Sequence, residues 1–265
     1  MANFQKTLGH KKQKDFFLKV SGIGRLAHGY ALVGPESIGK TTFARELASL
    51  LGADPVLDVL EADARELTVE QARDVRARLA LAAAGQTKVA IISQAEALSS
   101  ATGNALLKVL EEPPANSLLF LVTANFQALL PTLASRVQRV NFSIVSDREV
   151  GEAIGDNTEI VALARGRIGI AKKLFESPEA LEFFKLCQKH YQVMNTGTLV
   201  QRLQSAEEIA SWETPEINSF LRVAMETWAQ APKHPGPARK LLEAVRDVRA
   251  NLNSRLLLDN LFLPI

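Results

Sequence analysis

Gly34-Pro35-Glu36-Ser37-Ile38-Gly39-Lys40-Thr41 satisfies the spacing G-x-x-x-x-G-K-[ST] in full. Residues of these types at this spacing handle phosphate. The glycines let backbone N–H groups turn inward around phosphate oxygens, the lysine reaches the β and γ phosphates, and the hydroxyl ligates Mg²⁺. An apolar run at 30–33 precedes the loop and a run of helix formers at 41–51 follows it, so the helix adds its positive N-terminal end to the site. Gly34, Ser37, Gly39, Lys40, Thr41 and Thr42 are therefore the nucleotide-binding candidates, with ATP or ADP as the expected ligand.

Hydrolysis needs two more groups: a carboxylate that completes the Mg²⁺ shell and a group that orients water. The run Val89-Ala90-Ile91-Ile92 reads as a buried strand, and the positions after it hold Ser93-Gln94. An Asp-Glu pair belongs there in a working ATPase. Glu96 lies two residues beyond the water-orienting position and reads as a solvated acid at a helix start, directed elsewhere. The expectation is a site inactive in hydrolysis, with Mg²⁺ binding weak or absent and no metal site of its own.

Five apolar runs, at 30–33, 56–60, 89–92, 118–123 and 137–142, alternate with helical patterns at 41–51, 68–83 and 103–112. That is the rhythm of a parallel sheet covered by helices. In the third helix Gly103, Leu106, Leu107 and Leu110 share one face, and Pro113-Pro114 end it. From Val145 onward the pattern is helical, with short helices first and longer ones at 178–194, 198–211, 215–231 and 237–262. Ser177-Pro178 supplies an N-cap followed by proline at the first helical position. Leu241, Val245, Val248 and Leu252 form a seam suited either to an internal core or to another subunit. The expected fold class is α/β followed by all-α, with a five-stranded parallel sheet core.

Hydrophobic residues make up 47% and charged residues 23% of the 265, ordinary for a globular chain with a sizeable core. The net charge of +2 favours no class of partner. Cys187 is the only cysteine, which excludes an internal disulfide and a cysteine-built zinc site, and its apolar surroundings mark it as a core thiol. No apolar run reaches the roughly 18 residues of a membrane span and no leader-like segment opens the chain, so a cytoplasmic protein with no membrane partner is expected. His10, Lys11, Lys12 and Lys14 read as a wet loop. His28, Tyr30, Trp212 and Trp228 read as packing residues.

With these residues assembled, the chain resembles the clamp-loader subunits of the AAA+ family, those of bacterial DNA polymerase III in particular. LAHGYALVGPESIGKTTFA, SATGNALLKVLEEPP, LLFLVTANFQALLPTLASRVQRVNF and the closing VRANLNSRLLLDNLFLPI carry the resemblance. It implies a AAA+ core at 1–144, a helical lid at 145–176 and a helical collar for oligomerisation at 177–265. It makes Arg136, in Ser135-Arg136-Val137, an arginine finger acting on a neighbour's nucleotide, and Thr123 the sensor beside the chain's own. Without the resemblance Arg136 is a loop arginine, solvated or paired. The lid turn Gly166-Arg167-Ile168-Gly169-Ile170-Ala171 places Ile170 where the family carries a second sensor arginine. The four-cysteine zinc module of many members is replaced by the short connection 51–55, so no zinc is expected.

The implied partners are other clamp-loader subunits in a hetero-oligomeric ring, the sliding clamp indirectly, and primer-template DNA. Arg73 and Arg76, with Arg78 nearby, are the weak candidates for phosphate contact; a solvated helix face balanced by Glu66, Glu70 and Asp74 is the competing reading. Two functional alternatives remain beside a non-hydrolysing clamp-loader subunit. One is a catalytic clamp-loader ATPase. The other is a partner-binding protein outside replication that keeps only the AAA+ shape.

Overall fold

A computed structural model describes residues 4–230, 235–249 and 254–263. The chain divides into two units, 1–175 and 176–265.

The first unit begins with helix α1 (Lys11–Gly22), strand β1 (Gly29–Val33) and helix α2 (Lys40–Leu50). It continues through β2 (Val59–Asp63), α3 (Val69–Ala80), β3 (Lys88–Ser93), α4 (Ser100–Glu111), β4 (Ser117–Thr123), α5 (Pro131–Ala134) and β5 (Gln138–Asn141). All neighbouring strands pair in parallel, in the order β2-β3-β4-β1-β5. β1, β3 and β4 are buried on both faces, which explains why they read as continuous apolar runs. Successive side chains of a strand alternate between faces. Tyr30, Leu32, Val89, Ile91 and Phe120 therefore pack with Phe17 of α1 and Phe43 and Leu47 of α2, while Ala31, Ala90, Ile92, Leu119 and Leu121 pack with Leu79 of α3 and Leu106 of α4. Helices α6 (Asp147–Ile154), α7 (Thr158–Ala164) and α8 (Ile168–Glu176) follow.

The amino-terminal segment departs from the expected wet loop. Lys11 to Gly22 is helical, His10 is buried with its Nε2 2.8 Å from the Ile38 carbonyl, and Lys14 Nζ donates to the Thr7 carbonyl at 2.7 Å. The charged lysines occupy the outer face of a helix whose Phe17 is fully buried. β2 also starts later than its apolar run suggests. Val56 and Leu57 are exposed in a turn whose N–H groups donate to the Asp54 side chain. The connection between α2 and β2 is closed by buried Asp58, which accepts from the N–H groups of Asp54, Ala84 and Gly85 and pairs with Lys88 at 3.4 Å.

The second unit contains α9 (Pro178–Thr196), α10 (Leu199–Ala210), α11 (Thr214–Gln230), α12 (Pro235–Arg249) and α13 (Ser254–Phe262). Ser177 accepts from the Ala180 N–H at the head of α9, and Thr198 and Gln201 form a reciprocal capping box on α10. The single helix expected at 237–262 is two helices, α12 and α13. Leu241 and Val248 of the expected seam lie in an internal core with Cys187, Phe220, Leu258 and Phe262, against which Val245, Trp212 and Trp228 pack; Leu252 lies outside the described residues. Burial pushes the Cys187 thiol up to about 12, as befits a core cysteine. Among the described residues there is no strand after β5, and no helix is long and apolar enough to cross a membrane.

Candidate functional site

The phosphate loop spans the gap between the end of β1 and the start of α2. Gly34 has φ 156°, and a Cβ there would lie 2.3 Å from the Phe142 carbonyl oxygen, so no other residue fits without moving β5's continuation. Gly39, at φ 95°, makes the left-handed entry into α2. Its carbonyl accepts the Phe43 N–H at 2.8 Å, the first hydrogen bond of that helix. The backbone beyond residue 34 is anchored by Gly34 N–H donating to the Thr123 carbonyl of β4.

Lys40 is only 6% exposed, and its Nζ donates to the carbonyls of Gly34 and Pro35 at 2.6 Å each. Burial lowers its pKa to about 8, against the opposing pull of Glu36 and Glu96. A cavity of about 350 Å³ opens beside it, lined by Ser37, Gly39, Lys40, Thr41, Thr42 and Thr123 among the residues singled out from the sequence. Gly34 lies behind this wall as a carbonyl partner of Lys40. The Thr123 hydroxyl is committed to its own turn: it donates to the Asn125 carbonyl at 3.1 Å and accepts the Asn125 N–H at 3.0 Å.

Beyond Val122, Glu36, Ser93 and Gln94, three residues of the cavity wall fall outside the candidates from the sequence. Gly169 closes one side, its N–H donating to the Ser37 carbonyl at 2.7 Å. Arg167 and Ile170 are not part of the wall. Ala124 presents its N–H at the end of β4. Glu96 is the third, and it overturns the expectation of a side chain pointing elsewhere. Its Oε1 accepts the Ala124 N–H at 3.0 Å, and its Oε2 is buried with no hydrogen-bond partner. Strand alternation stops at Gln94, which adopts a left-handed conformation (φ 52°, ψ 43°) and starts a 3₁₀ turn over Ala95–Ala97. That turn brings residue 96 back toward the end of β4. Ser93 and Gln94 also line the cavity, and the Gln94 amide reaches Asp63 at 3.3 Å. Asp63 itself is gripped by Arg65 through both carboxylate oxygens.

Arg136 stands elsewhere. Tyr30 of β1 is in register with Gln138 of β5, and Val33 with Asn141, so Arg136 precedes the amino-terminal ends of the strands whereas the phosphate loop follows their carboxyl-terminal ends. Five to six residues of extended chain separate the two levels, roughly 15–20 Å at about 3.3 Å per residue. The Arg136 side chain is 40% exposed, and its guanidinium donates to the Thr132 carbonyl at 3.1 Å and the Ser135 hydroxyl at 3.2 Å and pairs with Glu111 at 2.8 Å. Arg73 and Arg76 share a face of α3; Arg73 is exposed and Arg76 pairs with Glu112 at 2.7 Å. Among the described residues, no group of three or more His, Cys, Asp or Glu could hold a metal ion.

A five-stranded parallel sheet in this order, with the phosphate loop after β1, is an α/β P-loop fold. The fold matches a DNA polymerase III gamma subunit-related protein of Thermotoga maritima (TM-score 0.64, 21% identity) over 93% of this chain and 97% of that one. It also matches the RuvB Holliday junction branch migration motor of the same organism (TM-score 0.56, 17% identity), over 97% and 90%. At such identities the likeness is one of fold. In sequence, residues 51–146 match the family described as DNA polymerase III, delta subunit. The DNA polymerase III subunit delta' of Pseudomonas aeruginosa is 33% identical over 149 residues, 47% of this chain and 45% of that protein. The gamma subunit of Buchnera aphidicola is 28% identical over 170 residues, 56% of this chain and 47% of that protein. In sequence, then, part of this chain is similar to subunits of DNA polymerase III. Its matches span less than half the length of each of these two relatives.

Proposed function

We propose that this chain is a delta-prime-like subunit of a DNA polymerase III clamp loader, a stator that binds ATP or ADP without turning it over and lends Arg136 to a neighbour. In this reading 1–144 is the AAA+ core, 145–176 the lid and 177–265 the collar. Its partners are the other loader subunits, with the sliding clamp and primer-template DNA engaged through the assembly and Arg73 and Arg76 as weak DNA contacts.

The observation that carries the reading is the separation of Arg136 from its own phosphate loop. An exposed guanidinium at the far ends of the strands has no route to the phosphates of its own cavity. The phosphate it fits is one presented by a second molecule, where a planar, bidentate cation stabilises the charge of phosphoryl transfer. The chain's own cavity has Ser93 and Gln94 where the metal-holding and water-orienting acids would stand. A catalytic gamma-like reading draws on Glu96. One carboxylate, with an oxygen already accepting the Ala124 N–H, cannot supply both acidic roles.

Steady-state ATPase of the purified chain tests this directly. Loss of general-base assistance removes about 10²–10⁴ in rate, so turnover should be indistinguishable from that of Lys40→Ala. A Lys40-dependent turnover of about 1 s⁻¹ or more, the lower end of ordinary enzymes, would establish a catalytic subunit instead.

A further inference from the structure

The buried, unpartnered oxygen of Glu96 is the feature of the cavity that the stator reading leaves unused. An unpaired buried carboxylate oxygen is costly, and Glu96 lines the phosphate-loop cavity, where a cation or a donor would satisfy it. Two nearby protein donors are already engaged: Ala124 N–H goes to Oε1, and Lys40 Nζ is turned to the carbonyls of Gly34 and Pro35. The other acids near the loop are less suited. Glu36 is exposed, and Asp63 is held by Arg65. Thr41, whose hydroxyl is of the type that ligates Mg²⁺ in such loops, lines the same cavity as Glu96. An oxygen donor set of hydroxyl, carboxylate, water and nucleotide phosphate suits Mg²⁺, which keeps several of its waters and takes one or two carboxylates.

We infer that Glu96 is the carboxylate that holds the divalent cation of a nucleotide bound at this loop, through a cation-bound water accepted by Oε2, in place of the acid missing at Ser93. The inference rests on the reading of the loop as a nucleotide site, and it replaces the expectation that Mg²⁺ binding is weak or absent. The 3₁₀ turn after Gln94 performs the displacement: it carries the acid three positions down the chain and returns it to the cavity from the β4 side. A carboxylate tied down by the Ala124 N–H is a fixed cation anchor. Cation binding without turnover is the combination this geometry provides.

The test is ADP affinity of the full chain by calorimetry, in Mg²⁺ and in EDTA, for the wild type and Glu96→Gln. Groups that hold a metal through an outer-shell contact typically contribute about 10–100-fold to its affinity. Wild-type ADP binding should tighten about tenfold or more with Mg²⁺. Glu96→Gln, which keeps an acceptor for Ala124, should lose most of that gain while binding ADP in EDTA as well as the wild type or better, because a negative charge near the phosphates is gone. Mn²⁺ titrated into the ADP complex and followed by electron paramagnetic resonance should show the same loss of cation affinity. Three results overturn the inference and leave the nucleotide site standing: wild-type ADP binding indifferent to Mg²⁺, a full Mg²⁺ gain in Glu96→Gln, or equal weakening by Glu96→Gln in Mg²⁺ and EDTA. Absence of ADP binding under every condition overturns the nucleotide reading and the inference together.

Discussion

The two ends of the sheet treat their cations in opposite ways. At the carboxyl-terminal ends Lys40 is almost wholly buried, loses part of its basicity to that burial and is turned onto its own loop. At the amino-terminal ends Arg136 is 40% exposed and rests on Glu111 in a surface pair. Exposed ion pairs of this kind contribute about 0–1 kcal/mol, so Arg136 is released at little cost when a phosphate arrives. A buried lysine that still needs a ligand and an exposed arginine that can leave one are suited to different work. In the proposed function the first would retain a nucleotide and the second would complete a site on another molecule.

The largest effect that would break this contrast concerns the nature of the Arg136 cation. An arginine finger supplies about 10³–10⁵ in rate. A lysine offers a point charge in place of a planar fork. Arg136→Lys should therefore leave the subunit folded and assembled, by circular dichroism and size-exclusion chromatography, yet fail to restore hydrolysis at the site it serves. Full rescue by lysine would mean that Arg136 acts by charge alone.

The next concerns Lys40 and pH. With its pKa at about 8 in the free cavity, Lys40 is charged below that pH and must take up a proton to grip phosphate above it. ADP affinity should fall toward tenfold per unit as pH rises beyond about 8, each tenfold being about 1.4 kcal/mol. Lys40→Arg, always charged, should show no such slope if it binds. A flat wild-type profile to pH 9.5 would place the lysine outside the phosphate grip.

The stability effect of the same residue is smaller. The unfolded chain holds more protons than the fold between about pH 8 and the ordinary lysine value of 10.5. The penalty for burying charged Lys40 is thus fully present below pH 8 and fades as pH rises toward 10.5. Lys40→Met removes that penalty but also two hydrogen bonds worth about 1 kcal/mol each. A net stabilisation on the order of 1 kcal/mol at pH 7, shrinking at pH 10, is expected from urea unfolding. Destabilisation at pH 7 would show that the carbonyl contacts outweigh the burial. Smallest of all, Glu111→Gln should change stability by less than about 1 kcal/mol; a larger loss would make the Arg136–Glu111 pair structural.

Much of this arrangement is legible in the sequence, and the misses have physical causes. The phosphate loop and the strands β1, β3 and β4 are legible because a doubly buried strand has to be apolar throughout and the loop's spacing is dictated by phosphate. β2 starts three residues later than its apolar run because the Asp54 side chain captures the N–H groups of Val56 and Leu57 in a turn. α1 was hidden by its lysines, which outnumber the few aromatic positions that anchor it. The direction of Glu96 is not legible in the sequence because alternation is valid only while the strand continues, and Gln94 ends it with a left-handed residue. The dipeptide Ser93-Gln94, with no β-branched residue in the four that follow, was the available hint of a turn. The separation of Arg136 from the loop needed the register of β1 with β5, which no single stretch of sequence contains.

The division of labour between the two ends is best tested in one assembly. A clamp loader reconstituted with this chain and gamma-type neighbours should have its clamp- and DNA-stimulated ATPase measured with wild-type, Arg136→Ala and Lys40→Ala versions of the subunit. Arg136→Ala should leave assembly intact and sharply reduce hydrolysis at the one site it serves, while Lys40→Ala should change the stimulated rate little. A silent Arg136→Ala beside a damaging Lys40→Ala would contradict the account and identify this chain's own cavity as the one that hydrolyses.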